Sequence, residues 1–143
     1  MTEKKSILVT GIARDVARII PKEINRIEKE LKNIFELVSF LVIESDSKDN
    51  TTQVLYDIKS KKSNFNYKSL GNIESALPSR IERLAFCRNT YVKEIRENEI
   101  YEDINFIAIV DFDIRNNRLR LCELKKLINE DSWSAIFANQ TGL

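Results

Sequence analysis

Short apolar runs and amphipathic stretches take turns along this chain. Ile7-Leu8-Val9-Thr10-Gly11-Ile12 reads as a buried first strand. Pro21 suits the first turn of a helix, where a missing N–H costs nothing. Ile24, Ile27, Leu31, Ile34, Phe35 and Val38 then follow a 3.6-residue rhythm. Phe40-Leu41-Val42-Ile43 is a second buried strand, and Asp49-Asn50-Thr51 opens a short helix running to about Ser60. Phe65-Asn66-Tyr67-Lys68-Ser69-Leu70 alternates as a more exposed strand would, and Pro78-Ser79 opens a long helix through about Arg96. A strand at Phe106, a weaker helix around Glu123–Ile128 and a strand at Trp133–Phe137 finish the pattern. Strands separated by helical segments indicate βαβ units with right-handed crossovers. The predicted architecture is therefore a single α/β domain over residues 1–143, three-layer α/β/α with a mainly parallel sheet.

The run Phe106-Ile107-Ala108-Ile109-Val110-Asp111-Phe112-Asp113 is the most informative part of that pattern. Its apolar half suits a central strand buried on both faces. In an extended chain Asp111 and Asp113 share one face and Phe112 points opposite. At the carboxyl end of a strand, where open α/β sheets form ligand crevices, two hard oxygen ligands suit Mg²⁺ or Mn²⁺ with a substrate phosphate. The plainer reading is a strand ending in solvated acids, with Asn116-Asn117 forming a turn soon after.

Three further residues bear on that crevice. Ile81, Leu84, Ala85, Val92 and Ile95 define an apolar arc on the long helix, and Arg88 falls near its middle. A guanidinium on a buried face needs an anion, either a phosphate or an internal carboxylate such as Glu44 or Asp111. Arg80 and Arg83 are expected to be solvated or to line a rim. Glu44-Ser45-Asp46 ends the second strand much as Asp111 and Asp113 end the fourth, with Glu44 as a ligand for ribose hydroxyls. Asp46, Asp49 and Thr51 also suit ordinary loop and helix capping. Arg14, just past the first strand, suits a phosphate, an acid or solvent equally. The Val9–Arg14 segment lacks the later glycines of a dinucleotide fingerprint, which argues against an NAD-dependent dehydrogenase.

Composition narrows the chemistry. Lys plus Arg is 23 against 22 Asp plus Glu, a net charge of +1, so general nucleic-acid binding is not expected. No transmembrane run or signal peptide is evident, and the two cysteines form neither a disulfide framework nor a metal-ligand spacing. A reduced, cytoplasmic setting is the expectation, with peripheral membrane association left open. There is no histidine, which removes Ser-His-Asp and Cys-His catalysis and His-containing zinc sites.

Taken in order, these blocks resemble the GT-A group of nucleotide-diphospho-sugar glycosyltransferases. The likeness joins the strand followed by Arg14, the acidic stretch Glu44-Ser45-Asp46-Ser47-Lys48-Asp49-Asn50-Thr51, and Arg83-Leu84-Ala85-Phe86-Cys87-Arg88-Asn89 ahead of Ile109-Val110-Asp111-Phe112-Asp113. Trp133-Ser134-Ala135-Ile136-Phe137-Ala138-Asn139-Gln140 is similar to the strand after that motif in mannosyltransferase-like members related to fungal capsule-associated proteins. The resemblance spans nearly all 143 residues. It implies a metal-dependent glycosyltransferase of polysaccharide biosynthesis that binds a nucleotide diphosphate-sugar and a saccharide or other hydroxyl acceptor. It further implies Asp113 as the direct metal ligand, Asp111 near ribose or metal-bound water, Glu44 at the nucleoside, Arg14 near the nucleotide, and Arg88 on the diphosphate side. Family members continue beyond the equivalent of Leu143 with strands that bind acceptor and supply a catalytic base. The chain is accordingly expected to be the nucleotide-binding part of a longer enzyme or a reduced relative with altered function, and no residue clearly fills the base role.

Two other classes compete. A haloacid-dehalogenase-like phosphotransferase also places Asp-x-Asp after an apolar strand, but only 30 residues follow Asp113, too few for its remaining catalytic strands. A non-catalytic α/β binding module would carry these acids as solvated strand ends. An open sheet edge could recruit a second copy in any of these cases.

Overall fold

The computed structural model describes residues 5–112, 121–130 and 132–137. In these, β1 (Ser6–Ala13), α1 (Ile20–Leu31), β2 (Leu37–Glu44), α2 (Thr51–Lys61), β3 (Phe65–Ser69), α3 (Arg80–Glu97), β4 (Phe106–Ile109) and α4 (Leu121–Ile128) follow one another. The four strands form one sheet in the order β3-β2-β1-β4. All three pairings are parallel. Helices lie on both faces, so the domain is α/β with three layers, as the alternating pattern predicts.

Each face has its own core. Ile7, Val9, Phe40 and Val42 pack with Ile24 and Ile27 of α1 and Leu55 of α2. Leu8, Leu41 and Ile43 pack on the other face against Cys87 and Tyr91 of α3. The period-two alternation of β1 and β2 thus feeds two apolar layers, which is why both strands are buried throughout most of their length. No described helix is long and apolar enough to cross a membrane.

Two expectations about the sheet change. The apolar run at Phe106 is not a central strand of the described sheet but an edge, four residues long. Phe106 and Ala108 pack toward α1, while Ile107 and Ile109 are 51% and 66% exposed on the opposite face. α3 contacts β1 and β2 and leaves β4 largely uncovered. Residues 132–137 form no strand; Trp133 instead stacks on Phe106 with ring centroids 6.0 Å apart and donates its indole N–H to the Leu127 carbonyl. The ring thus packs on an apolar neighbour while its N–H finds a carbonyl partner.

A buried carboxylate ties the α1 layer together. Glu28 of α1 accepts from Lys32 at 2.9 Å, from Asn64 at 2.7 Å and from Lys62, just after α2. Asn64 also donates to the Val38 carbonyl, so one acid joins α1 to the starts of β2 and β3. Burial alone would raise its pKa, but these donors together hold it at about 2, against 4.5 ordinarily. A depressed pKa contributes stability above the unfolded value and loses it as pH falls through the folded one. Melting temperature should therefore fall between about pH 4.5 and 2, with roughly 3 kcal/mol at stake. Glu28→Gln should be less stable at pH 7 and should flatten that acid limb; an unchanged limb in thermal melts would show that Glu28 does not control it.

Candidate functional site

Strand order reverses beside β1. β2 and β3 lie on one side of it and β4 on the other, with α1 and α3 on opposite faces of the sheet. Such a switch point separates the loops leaving β1 and β4 and opens a crevice at their carboxyl ends. Arg14 leaves one lip and Asp111 the other.

Gly11 shapes the second lip. Ile109 pairs with Thr10, and Val110 donates to the Thr10 carbonyl at 2.9 Å before the chain departs. The Val110 carbonyl then passes so close to the Gly11 Cα that any Cβ there would overlap it and press on the Phe112 ring. This approach lets Phe112 bury completely in the α1-side core. Asp111, one residue earlier, is exposed and acts electrostatically on Tyr91 of α3. It therefore reaches the α3 side of the crevice. Asp113 lies outside the described residues.

Most of the other carboxylates at this edge hold loops. Asp15 and Asp46 both adopt left-handed backbone, at φ 52° and 56°, a conformation Asp tolerates better than most residues. Asp15 accepts the Lys48 and Asp49 N–H groups at 2.6 and 3.2 Å. Asp49 accepts from Ala17 and from the Thr51 backbone, and Thr51 in turn accepts the Val16 N–H at 2.8 Å. The loops after β1 and β2 are thereby stitched together. Asp46 receives the Ile73 and Glu74 N–H groups at 2.9 and 3.0 Å. Burial would raise its pKa, but the Glu74 N–H, the Ser45 hydroxyl, the Ile73 N–H and the Arg14 charge outweigh it and keep the acid ionised. Capping is the role of Asp46, Asp49 and Thr51.

Glu44 is likewise engaged. It is 2% exposed and accepts from the Ser47 N–H and the Ser69 hydroxyl, bracing the end of β2 against β3. By strand alternation its side chain leaves the sheet on the face of Val42 and Phe40, opposite α3. The structure does not bring Glu44 to Asp111.

The arginines are exchanged relative to the apolar arc. Arg88 is exposed, and Arg83 is 8% exposed. The buried stripe of α3 is Arg83, Cys87 and Tyr91, spaced i, i+4, i+8, rather than the arc containing Ile81, which is 79% exposed. The reason is that α3 packs mainly on β1 and β2 and meets them with a narrow stripe. Arg83 is affordable there because its guanidinium donates to the Leu77 and Pro78 carbonyls at 2.9 and 2.6 Å and pairs with Glu74 at 3.6 Å. Glu74 also meets Arg14 at 3.5 Å, so Arg14 leans toward α3 at the β1 lip. Cys87 faces the Ser45 hydroxyl at 3.5 Å, and burial raises its pKa, which leaves the thiol unreactive.

At this edge Arg14 is tied to Asp15 and Glu74, while Arg88 and Asp111 both bear electrostatically on Tyr91. Sequence reading named Arg14, Arg88 and Asp111 and missed Tyr91, which lies at i+3 from Arg88 on α3. Surface cavities of about 380 and 250 Å³ lie elsewhere, over Ile24, Val54 and Ile58, and beside Lys68, Glu94 and Tyr101. Among the charged groups that line them, Lys62 is paired with Glu28 and Lys68 with Glu94. The crevice at the switch point carries the chemistry better.

Gly11→Ala should displace the Val110–Phe112 segment, lowering stability by about 1–3 kcal/mol, as forced overpacking does. Amide shifts of residues 110–112 should move most in heteronuclear NMR; a spectrum unchanged there would refute the close approach. Arg83→Ala should cost about 2 kcal/mol in denaturant melts, since it strands two carbonyl acceptors.

No protein-family model matches the chain, and no curated protein matches it.

Proposed function

We propose that this chain is a nucleotide-diphospho-sugar-binding domain of the GT-A glycosyltransferase kind, transferring a sugar to a hydroxyl acceptor. The observation that carries this reading is the placement of Asp111 at the switch point. β4 ends beside β1, so an acid following an apolar strand would face the same crevice as Arg14, which follows β1, and Arg88 of α3. A parallel sheet with a crevice there is suited to nucleotides.

A divalent cation would need few protein ligands here, since Mg²⁺ is commonly held by one or two carboxylates with substrate phosphates completing its shell. Among the described residues no group of three or more Cys, Asp or Glu side chains is placed to hold an ion. Asp111 would hold the ion together with Asp113, and Mn²⁺ would fit similarly. When bound, it would neutralise charge on the diphosphate leaving group. Arg88 would add a fixed positive charge on the same side, and Arg14 would meet the nucleotide at the β1 lip. Orientation of donor and acceptor supplies the remainder of the effect.

Thermal-shift measurements with UDP- and GDP-sugars, with and without Mn²⁺, test this proposal. Donor plus metal should raise the melting temperature by several degrees, because a ligand at a hundred times its Kd stabilises by about 2.7 kcal/mol. Asp111→Asn and Asp113→Ala should each remove the metal-dependent part. Stabilisation that ignores metal and survives both substitutions would rule the reading out.

A further inference from the structure

The two edges of the described sheet are built differently. β3 turns Asn66 and Lys68, in register with Leu41 and Ile43, toward the α3 face, and Lys68 pairs with Glu94 of α3 at 3.8 Å. A lysine with polar neighbours is ordinary protection for an edge strand. β4 has no such protection. Phe106-Ile107-Ala108-Ile109 carries no charge and no proline, and among the described residues no strand lies on its outer side.

Backbone and side chains are open at the same two residues. Thr10 is in register with Ile109 and accepts the Val110 N–H. Alternate residues of a strand direct their N–H and C=O groups to opposite sides, so Ala108 and Val110 turn theirs to β1 while Ile107 and Ile109 turn theirs outward. Among the described residues these outward groups have no partner. The side chains of the same two isoleucines are exposed on the α3 face.

We infer that β4 is a self-association edge, pairing antiparallel with β4 of a second copy about a two-fold axis at Ala108. In this register Ile107 exchanges both backbone hydrogen bonds with the partner's Ile109, and Ile109 with the partner's Ile107. The isoleucines of both copies then cover one another on the α3 face. On the opposite face Phe106 meets the partner's Val110, and the small Ala108 meets its own copy at the axis. Charge also fits a second copy. Asp111 is the one charged residue in 105–111 and stands opposite the partner's Asn105, so like charges do not meet across the pair. Asn105 uses its side-chain oxygen on Ser6, which leaves its NH₂ group to donate to that carboxylate. A net charge of +1 adds little repulsion between copies. Antiparallel pairing sends the two switch-point crevices to opposite ends of the joined sheet, so self-association does not depend on the function proposed above.

Sedimentation velocity of the full chain, from micromolar to near-millimolar concentration, should show a monomer–dimer equilibrium. Ile109→Lys changes an already exposed position, so the dilute monomer should keep its melting temperature while the dimer dissociation constant rises at least about tenfold. Mixing Ile109→Lys with Ile107→Glu should restore the dimer, because this register sets those positions opposite each other. Ala108→Cys, in a Cys122→Ser background, should form an intermolecular disulfide under mild oxidation, since non-hydrogen-bonded partners have Cα atoms about 4.5 Å apart. Ile81→Cys, exposed on α3, should not cross-link. A chain that stays monomeric throughout overturns the pairing and leaves the edge to an extended peptide of another protein. A dimer indifferent to Ile109→Lys, or one that cross-links through Ile81→Cys and not Ala108→Cys, overturns it by placing the interface elsewhere.

Discussion

The close approach of the Val110 carbonyl to Gly11 governs the geometry of the crevice. A strand that continued straight past Ile109 would carry Asp111 along the sheet edge. The missing Cβ instead lets the chain fold over the end of β1 and anchor Phe112 in the core. Asp111 is then held between a buried aromatic on one side and α3 on the other. Glycine matters here for the volume it leaves vacant rather than for any unusual dihedral.

A second constraint is the satisfaction of polar groups at the carboxyl edge. Four acids, Asp15, Glu44, Asp46 and Asp49, gather there and would repel one another if left bare. Each is instead matched to N–H or hydroxyl donors of a neighbouring loop. The acids therefore build the rim. Arg83 extends the same logic to α3, since its buried guanidinium ties the entry loop of the helix to Glu74. The result is a firm lip on the β1–β2 side.

The helix α3 shows how an apolar count can mislead. Ile81, Leu84, Ala85, Val92 and Ile95 form a persuasive arc, and Arg88 sits within it. The helix, however, packs mainly on β1 and β2, and the stripe it buries there is Arg83, Cys87 and Tyr91. Phe86 and Val92 consequently stay 47% and 38% exposed. A buried arginine with two carbonyl acceptors was favoured over a more apolar face because the loop geometry supplied its partners.

Local chemistry in the chain was enough to specify the βαβ alternation, the parallel sheet, the starts of α1 and α2, and the acid at the end of the fourth strand. Those features depend on neighbours within a few residues: periodicity, proline and capping types. Which strand forms an edge and which carboxylates are committed to loops depend on partners some 25 to 100 positions away, such as Ser69 for Glu44 or Val110 for Gly11. No periodic pattern encodes those pairings, because they arise only when packing brings distant donors and acceptors out of water together.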